Sequence, residues 1–134
     1  MSDPKVRVLI ADDEAHIRLF VKAVLASLGF EVVGEAADGR KAVELFDTTS
    51  PDLVLLDINM PVMDGIAALR ALRAKSDEVA IVMLTSLASA DVVEQCLDAG
   101  ADYHLRKDLP LAELKEEILG TWRAHLEDRE GGGG

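Results

Sequence analysis

The chain has 134 residues, enough for one domain that buries a stable core of its own, and its 49% apolar and 29% charged content is that of an ordinary globular protein. Against 14 basic side chains stand 25 acidic ones, a net charge of -11, which repels phosphate backbones and argues against direct nucleic-acid binding. The single cysteine, Cys96, excludes an internal disulfide, the absence of a C-x-x-C pair removes the usual zinc signal, and no apolar run approaches a membrane span.

The opening residues, "MSDPKVRVLIADDE", reach acids after a short apolar run, unlike a signal peptide, so a reduced, cytoplasmic protein is expected. Val6, Val8, Leu9, Ile10 and Ala11 form a strand that stops at Asp12-Asp13. Ile17, Phe20, Val21, Val24, Leu25 and Leu28 then make one helical stripe, with Gly29 at the C-cap position. "EVVGEA" is a weaker second strand, and Asp38 can cap a helix that turns Ala42, Leu45 and Phe46 inward. The unit repeats: "LVLLD" is a third strand, followed by a helix carrying Ile66, Leu69 and Leu72. "VAIVML" is the fourth, followed by a helix bearing Val92, Val93, Cys96 and Leu97 that stops near Gly100. "DYHLR" is a more polar fifth strand at an edge, and Leu111, Leu114, Ile118 and Trp122 mark a last helix to about residue 129. The terminal "GGGG" reads as a flexible linker or a fusion scar, giving a domain over residues 1–130 and a glycine tail over 131–134.

Strands alternating with helices imply an α/β fold, a doubly wound parallel sheet covered on both faces. Such sheets bind ligands beyond the carboxyl ends of their strands. The polar residues there are Asp12 and Asp13, Asp57, Thr85 and Ser86, and Lys107. Taken singly each has a plain reading: Asp13 as a helix cap, Asp64-Gly65 as a turn, Thr85 as a loop hydroxyl, Lys107 as a solvated charge. Gathered at one end, three carboxylates repel one another by several kcal/mol unless a cation neutralises them. Lys107 supplies one positive charge and a divalent metal two; oxygen-only ligands favour Mg2+. A carboxylate can attack phosphorus, and metal, ammonium and hydroxyl together can neutralise the arriving phosphoryl oxygens. Asp57, at a strand end, is placed for that nucleophile's role.

The motifs "LIADDE", "LLDINMPVMDG", "VMLTS" and "GADYHLRK" resemble, in order and spacing, those of the receiver domain of two-component response regulators, over residues 5 to 127. The resemblance implies a five-stranded flavodoxin-like (βα)5 fold with strand order 2-1-3-4-5. It implies that Asp57 accepts a phosphoryl group from a sensor histidine kinase or a phosphotransfer protein. Asp13, Asp57 and the main-chain carbonyl of Asn59 would hold Mg2+, Asp12 reaching it through water, while Thr85 and Lys107 bind phosphate oxygens. The face made by the fourth helix, fifth strand and fifth helix would change shape, controlling a downstream protein target or a C-terminal effector domain, or pairing two copies. The domain would catalyse only its own phosphorylation and dephosphorylation.

Three departures from the family pattern stand out. His104 occupies the place of a switch aromatic three before the lysine, with Tyr103 on the opposite face by strand alternation; imidazole there could make switching pH-sensitive. Asp108, not proline, follows Lys107, which puts the usual cis peptide in doubt. Leu87, two after Thr85, is apolar where some members carry a polar group, which predicts a longer-lived phosphoryl group. Among rival readings, an aspartyl-nucleophile phosphatase would want an acid two residues after Asp57, where Asn59 stands, and a cap domain. A flavin domain would want a phosphate loop and more aromatics, and an unphosphorylated interaction module would not need the full set of acids, threonine and lysine.

Overall fold

The computed structural model describes residues 5–86 and 89–132. Strands and helices alternate along the chain: β1 (Arg7–Ala11), α1 (Ala15–Ser27), β2 (Glu31–Ala36), α2 (Gly39–Thr49), β3 (Leu53–Asp57), α3 (Gly65–Lys75), β4 (Ala80–Thr85), α4 (Ala90–Asp98), β5 (Tyr103–Arg106) and α5 (Leu111–Gly132). All strand pairs are parallel, in the order β2-β1-β3-β4-β5, the flavodoxin-like arrangement expected.

Successive strand side chains point to opposite faces, so one run of apolar residues feeds two cores. Val8 and Ile10 of β1, Leu53 and Leu55 of β3, and Val82 and Leu84 of β4 pack under α1 and α5, against Val21, Val24, Leu25, Leu114 and Ile118. The intervening Leu9, Val54, Leu56, Ile81 and Met83 pack under α2, α3 and α4, against Ala42, Ala68, Leu69, Leu72 and Cys96. Each fully buried Leu, Ile or Val contributes about 1.5–3 kcal/mol. That is why β3 and β4 are buried along their whole length while the edge strand β5 buries only Leu105.

Helix ends follow the local chemistry. Gly29, at φ +77°, closes α1: its N–H reaches the Ala26 carbonyl and the Phe30 N–H the Leu25 carbonyl, both at 3.0 Å. Asp38 caps α2 and Ser89 caps α4. From β1 the chain moves outward to β2, then returns past β1 to β3, so a crevice opens between the carboxyl ends of β1 and β3.

Leu97 and Leu111, two of the apolar residues that mark α4 and α5, are 49% and 50% exposed. Leu97 follows the buried Cys96 by one residue, a rotation of about 100° that carries it off the buried face. Leu111 is the first residue of α5 and precedes the turn that reaches the core at Leu114. α5 also runs on to Gly132 rather than ending near residue 129, because a glycine weakens a helix by only about 1 kcal/mol and need not end it at once. No cis peptide bond occurs among the described residues. Leu87 lies outside the described residues.

Candidate functional site

The crevice is built from three strand ends. Past β1, the Asp12 N–H bonds to the Ala36 carbonyl at 2.9 Å, extending the ladder by one residue and burying Asp12 completely. Its Oδ1 accepts the Glu14 N–H at 2.9 Å. Glu14 is the N-cap of α1 and makes no side-chain capping bond, so Asp13 is exposed and is not used as the cap.

Asp57 ends β3 only 5% exposed, and its Oδ1 accepts the N–H of Ile58 at 2.8 Å. The next turn closes tightly on it: the Gly65 N–H bonds to the Ile58 carbonyl at 2.7 Å, and a Cβ on Gly65 would lie 1.9 Å from the Asp57 carbonyl oxygen. Asp64 serves α3 as N-cap through the Ala67 N–H and is not part of the cluster. Asn59 sits exposed in the bend two residues past Asp57.

Lys107 follows β5, where its N–H bonds to the Thr85 carbonyl at 2.7 Å. Its side chain is 7% exposed, with Nζ 2.7 Å from Asp12 Oδ2 and 3.0 Å from Asp57 Oδ2. The contact with Asp12 is one of charge and not of direction, for Asp12 Oδ2 is buried without a hydrogen bond of acceptable geometry. Thr85 is buried at the end of β4, its hydroxyl donating a long 3.4 Å bond to the Leu105 carbonyl. His104 is half-buried; it pairs with Met83, whereas Tyr103 pairs with Val82, and these two β4 residues belong to opposite cores. Tyr103 and His104 therefore leave β5 on opposite sides, as alternation predicts.

Carboxylate oxygens of Asp12, Asp13 and Asp57 lie within 4.8 Å of one another. Burial pushes the Asp57 carboxyl up to about 6, with the Asp12 charge adding to the rise and Lys107 opposing it. Burial alone would lower the Lys107 ammonium, but its close contacts with the Asp12 and Asp57 carboxylates outweigh that and raise it. Three carboxylates against one ammonium leave two negative charges. An all-oxygen donor set, that residual charge and the unbonded Asp12 Oδ2 fit a hard divalent cation. One neighbour carried no signal in the sequence beyond its charge: Arg18 of α1, whose Nη1 donates to the Asp12 carbonyl at 2.7 Å.

The acidic crevice with its buried lysine thus lies at the switch point of a doubly wound sheet, where such sheets bind their ligands. The chain belongs to the response regulator receiver domain family, whose model matches residues 8–119. It is 45% identical over 108 residues to the transcriptional regulatory protein PdtaR of Mycobacterium tuberculosis, covering 81% of this chain and 52% of that protein, so it spans about half that relative's length. It is 39% identical to the chemotaxis protein CheY of Bacillus subtilis, over 86% of this chain and 96% of that one. Among solved structures, the CheX-CheY-BeF3-Mg2+ complex of Borrelia burgdorferi superposes with a TM-score of 0.82 at 30% identity, covering 87% of this chain and 88% of that chain. A CheY-like receiver domain protein of Methanospirillum hungatei gives 0.85 at 26%, covering 93% and 99%. Receiver domains are signalling switches of two-component systems that interact with histidine kinases and effectors. No described helix is long and apolar enough to cross a membrane.

Proposed function

We propose that this domain is a phosphorylation-dependent switch in which Asp57 takes a phosphoryl group from a phosphohistidine on a sensor histidine kinase or a phosphotransfer protein. The observation that carries this reading is the buried Lys107 ammonium, 2.7 and 3.0 Å from Asp12 and Asp57 inside the carboxylate cluster. Asp13, Asp57 and the main-chain carbonyl of Asn59 would hold Mg2+, with Asp12 reaching it through water. Bound there, the ion would neutralise charge on the phosphoryl oxygens. The Borrelia burgdorferi neighbour, a complex that includes Mg2+, supports that choice of cation.

Asp57, raised only to about 6, is mostly ionised at neutral pH and able to attack. One of its oxygens forms the new O–P bond as the donor's N–P bond breaks, and the departing imidazole takes up a proton. Lys107 turns from the Asp57 carboxylate to the new phosphate oxygens. The Thr85 hydroxyl gives up its long bond to Leu105 and donates to phosphate instead. Moving a two-state equilibrium from 1:99 to 99:1 takes about 5.5 kcal/mol. Two or three charge-assisted hydrogen bonds, at roughly 1.5–3 kcal/mol each, supply that much. His104 follows Thr85 as the switch residue, and the face of α4, β5 and α5 passes the change to a protein target, an effector domain or a second copy. The domain covers residues 1–130, its last helix running into the first two of the four terminal glycines, and it works in the cytoplasm.

Incubation with Mg2+ and acetyl phosphate tests the reading. The expected result is a mass gain of one phosphoryl group, abolished by Asp57→Asn and by chelation of the metal. No adduct would leave a module that binds partners without being phosphorylated, and steady hydrolysis of unrelated phosphomonoesters would make it a phosphatase.

A further inference from the structure

We infer that Arg18 is a positioning residue for the acidic site: it pins the peptide that joins Asp12 to Asp13 and so aims the Asp13 carboxylate. The inference rests on the Mg2+ site proposed above.

Asp12 is held at three points. Its N–H is tied to Ala36, its Oδ1 to the Glu14 N–H, and its carbonyl to Arg18 Nη1 at 2.7 Å. The first two fix β1's end and the Asp12 side chain. The third fixes the plane of the Asp12–Asp13 peptide, and with it the direction in which Asp13 leaves the main chain. Nothing else holds Asp13: it is exposed, it does not cap α1, and among the described residues its carboxylate has no hydrogen bond or ion pair. The guanidinium is itself aimed. Nε donates to Glu35 Oε1 at 3.3 Å, Glu35 is steadied by Lys22 Nζ at 3.0 Å, and the Arg18 side chain is only 20% exposed. β2 and α1 thus brace the loop between β1 and α1 through one planar fork, a geometry lysine cannot reproduce.

Charge and position predict opposite signs. Removing a cation near a divalent site should, by Coulomb's law alone, tighten Mg2+ binding. Losing the brace should weaken it. Calorimetric titration of Mg2+ into the unphosphorylated protein separates the two. Wild type should bind. Arg18→Met, which keeps the aliphatic stem, should bind roughly tenfold more weakly, the lower end of the effect typical of groups that orient metal ligands. Arg18→Lys, whose single nitrogen cannot reach both the Asp12 carbonyl and Glu35 as Nη1 and Nε do, should fall between them. Lys22→Met, which removes a charge from the same cluster and loosens Glu35 but leaves the Arg18 bond to the Asp12 carbonyl in place, should weaken binding less than Arg18→Met does. If Arg18→Met and Arg18→Lys bind as wild type does, or if Lys22→Met is weakened as much, Arg18 is only a structural staple and the inference fails. Wild type that binds no Mg2+ would instead overturn the metal site itself.

Discussion

Asp57 is costly to the fold that positions it. Its carboxyl is raised from 3.8 to about 6, chiefly by burial, so the folded protein holds this proton more tightly than the unfolded chain does. Linkage then fixes the sign. Below about pH 4 the group is neutral in both states and costs nothing; between pH 4 and 6 stability falls as pH rises; above that the full cost remains, on the order of 2–3 kcal/mol for a shift of this size. Asp57→Asn removes the charge at nearly constant shape, and Lys107 keeps Asp12 as its partner at 2.7 Å. In chelator at pH 7.5, urea denaturation should therefore find Asp57→Asn more stable than wild type, with the gap closing towards pH 4. An asparagine variant less stable at pH 7.5 would mean that the Lys107 contact outweighs burial.

Within elements, two kinds of glycine and one valine show where local geometry decides. Gly65 opens α3 directly over the Asp57 main chain, and an added Cβ would lie 1.9 Å from the Asp57 carbonyl oxygen. Backbone there must shift, so Gly65→Ala should destabilise by about 2–3 kcal/mol and lower the yield of Asp57 adduct. Gly120, in the middle of α5, has nothing within 4 Å of its would-be Cβ. Gly120→Ala should stabilise by about 1 kcal/mol through helix propensity alone; thermal melts of the two variants should move in opposite directions. Val62 is the centre of a three-residue turn closed by the Met63 N–H on the Pro61 carbonyl at 2.7 Å. It sits at φ 68°, a rare conformation for a β-branched residue, with a side chain 76% exposed. Val62→Asn loses almost no packing and suits that conformation, so the melt should show a gain of about 1 kcal/mol. None of this strain was legible in "MPVMDG", because φ at Val62 is set by where β3 and α3 must lie. The elements themselves were legible, since apolar runs bounded by Asp, Gly and Pro carry their own period and their own caps. Leu97 and Leu111, apolar yet half exposed, show that apolar character alone does not say which side of a helix meets the core.

At the scale of the whole molecule, the site's acids could be read from the sequence because each ends a strand, and a parallel sheet gathers strand ends. Lys107 could be read with them as a neutralising cation, and its ammonium does lie between Asp12 and Asp57; what could not be read was the reach of Arg18 to a main-chain carbonyl, which depends on a side-chain path across the fold. Strand order came from family resemblance, not from any period in the residues. The same gathering concentrates charge in a molecule already at -11, where any cation relieves self-repulsion and a bound one does more. Mg2+ that binds only the native cluster should stabilise by mass action, about 2.7 kcal/mol at a hundred times its dissociation constant, or several degrees in melting temperature. KCl at matched ionic strength should give a smaller rise, equal in wild type and Asp13→Asn, while the extra increment with Mg2+ should appear in wild type and shrink sharply in Asp13→Asn. Should KCl reproduce the whole Mg2+ effect, the cluster is merely being screened, and the two uncompensated charges at the crevice would need another explanation.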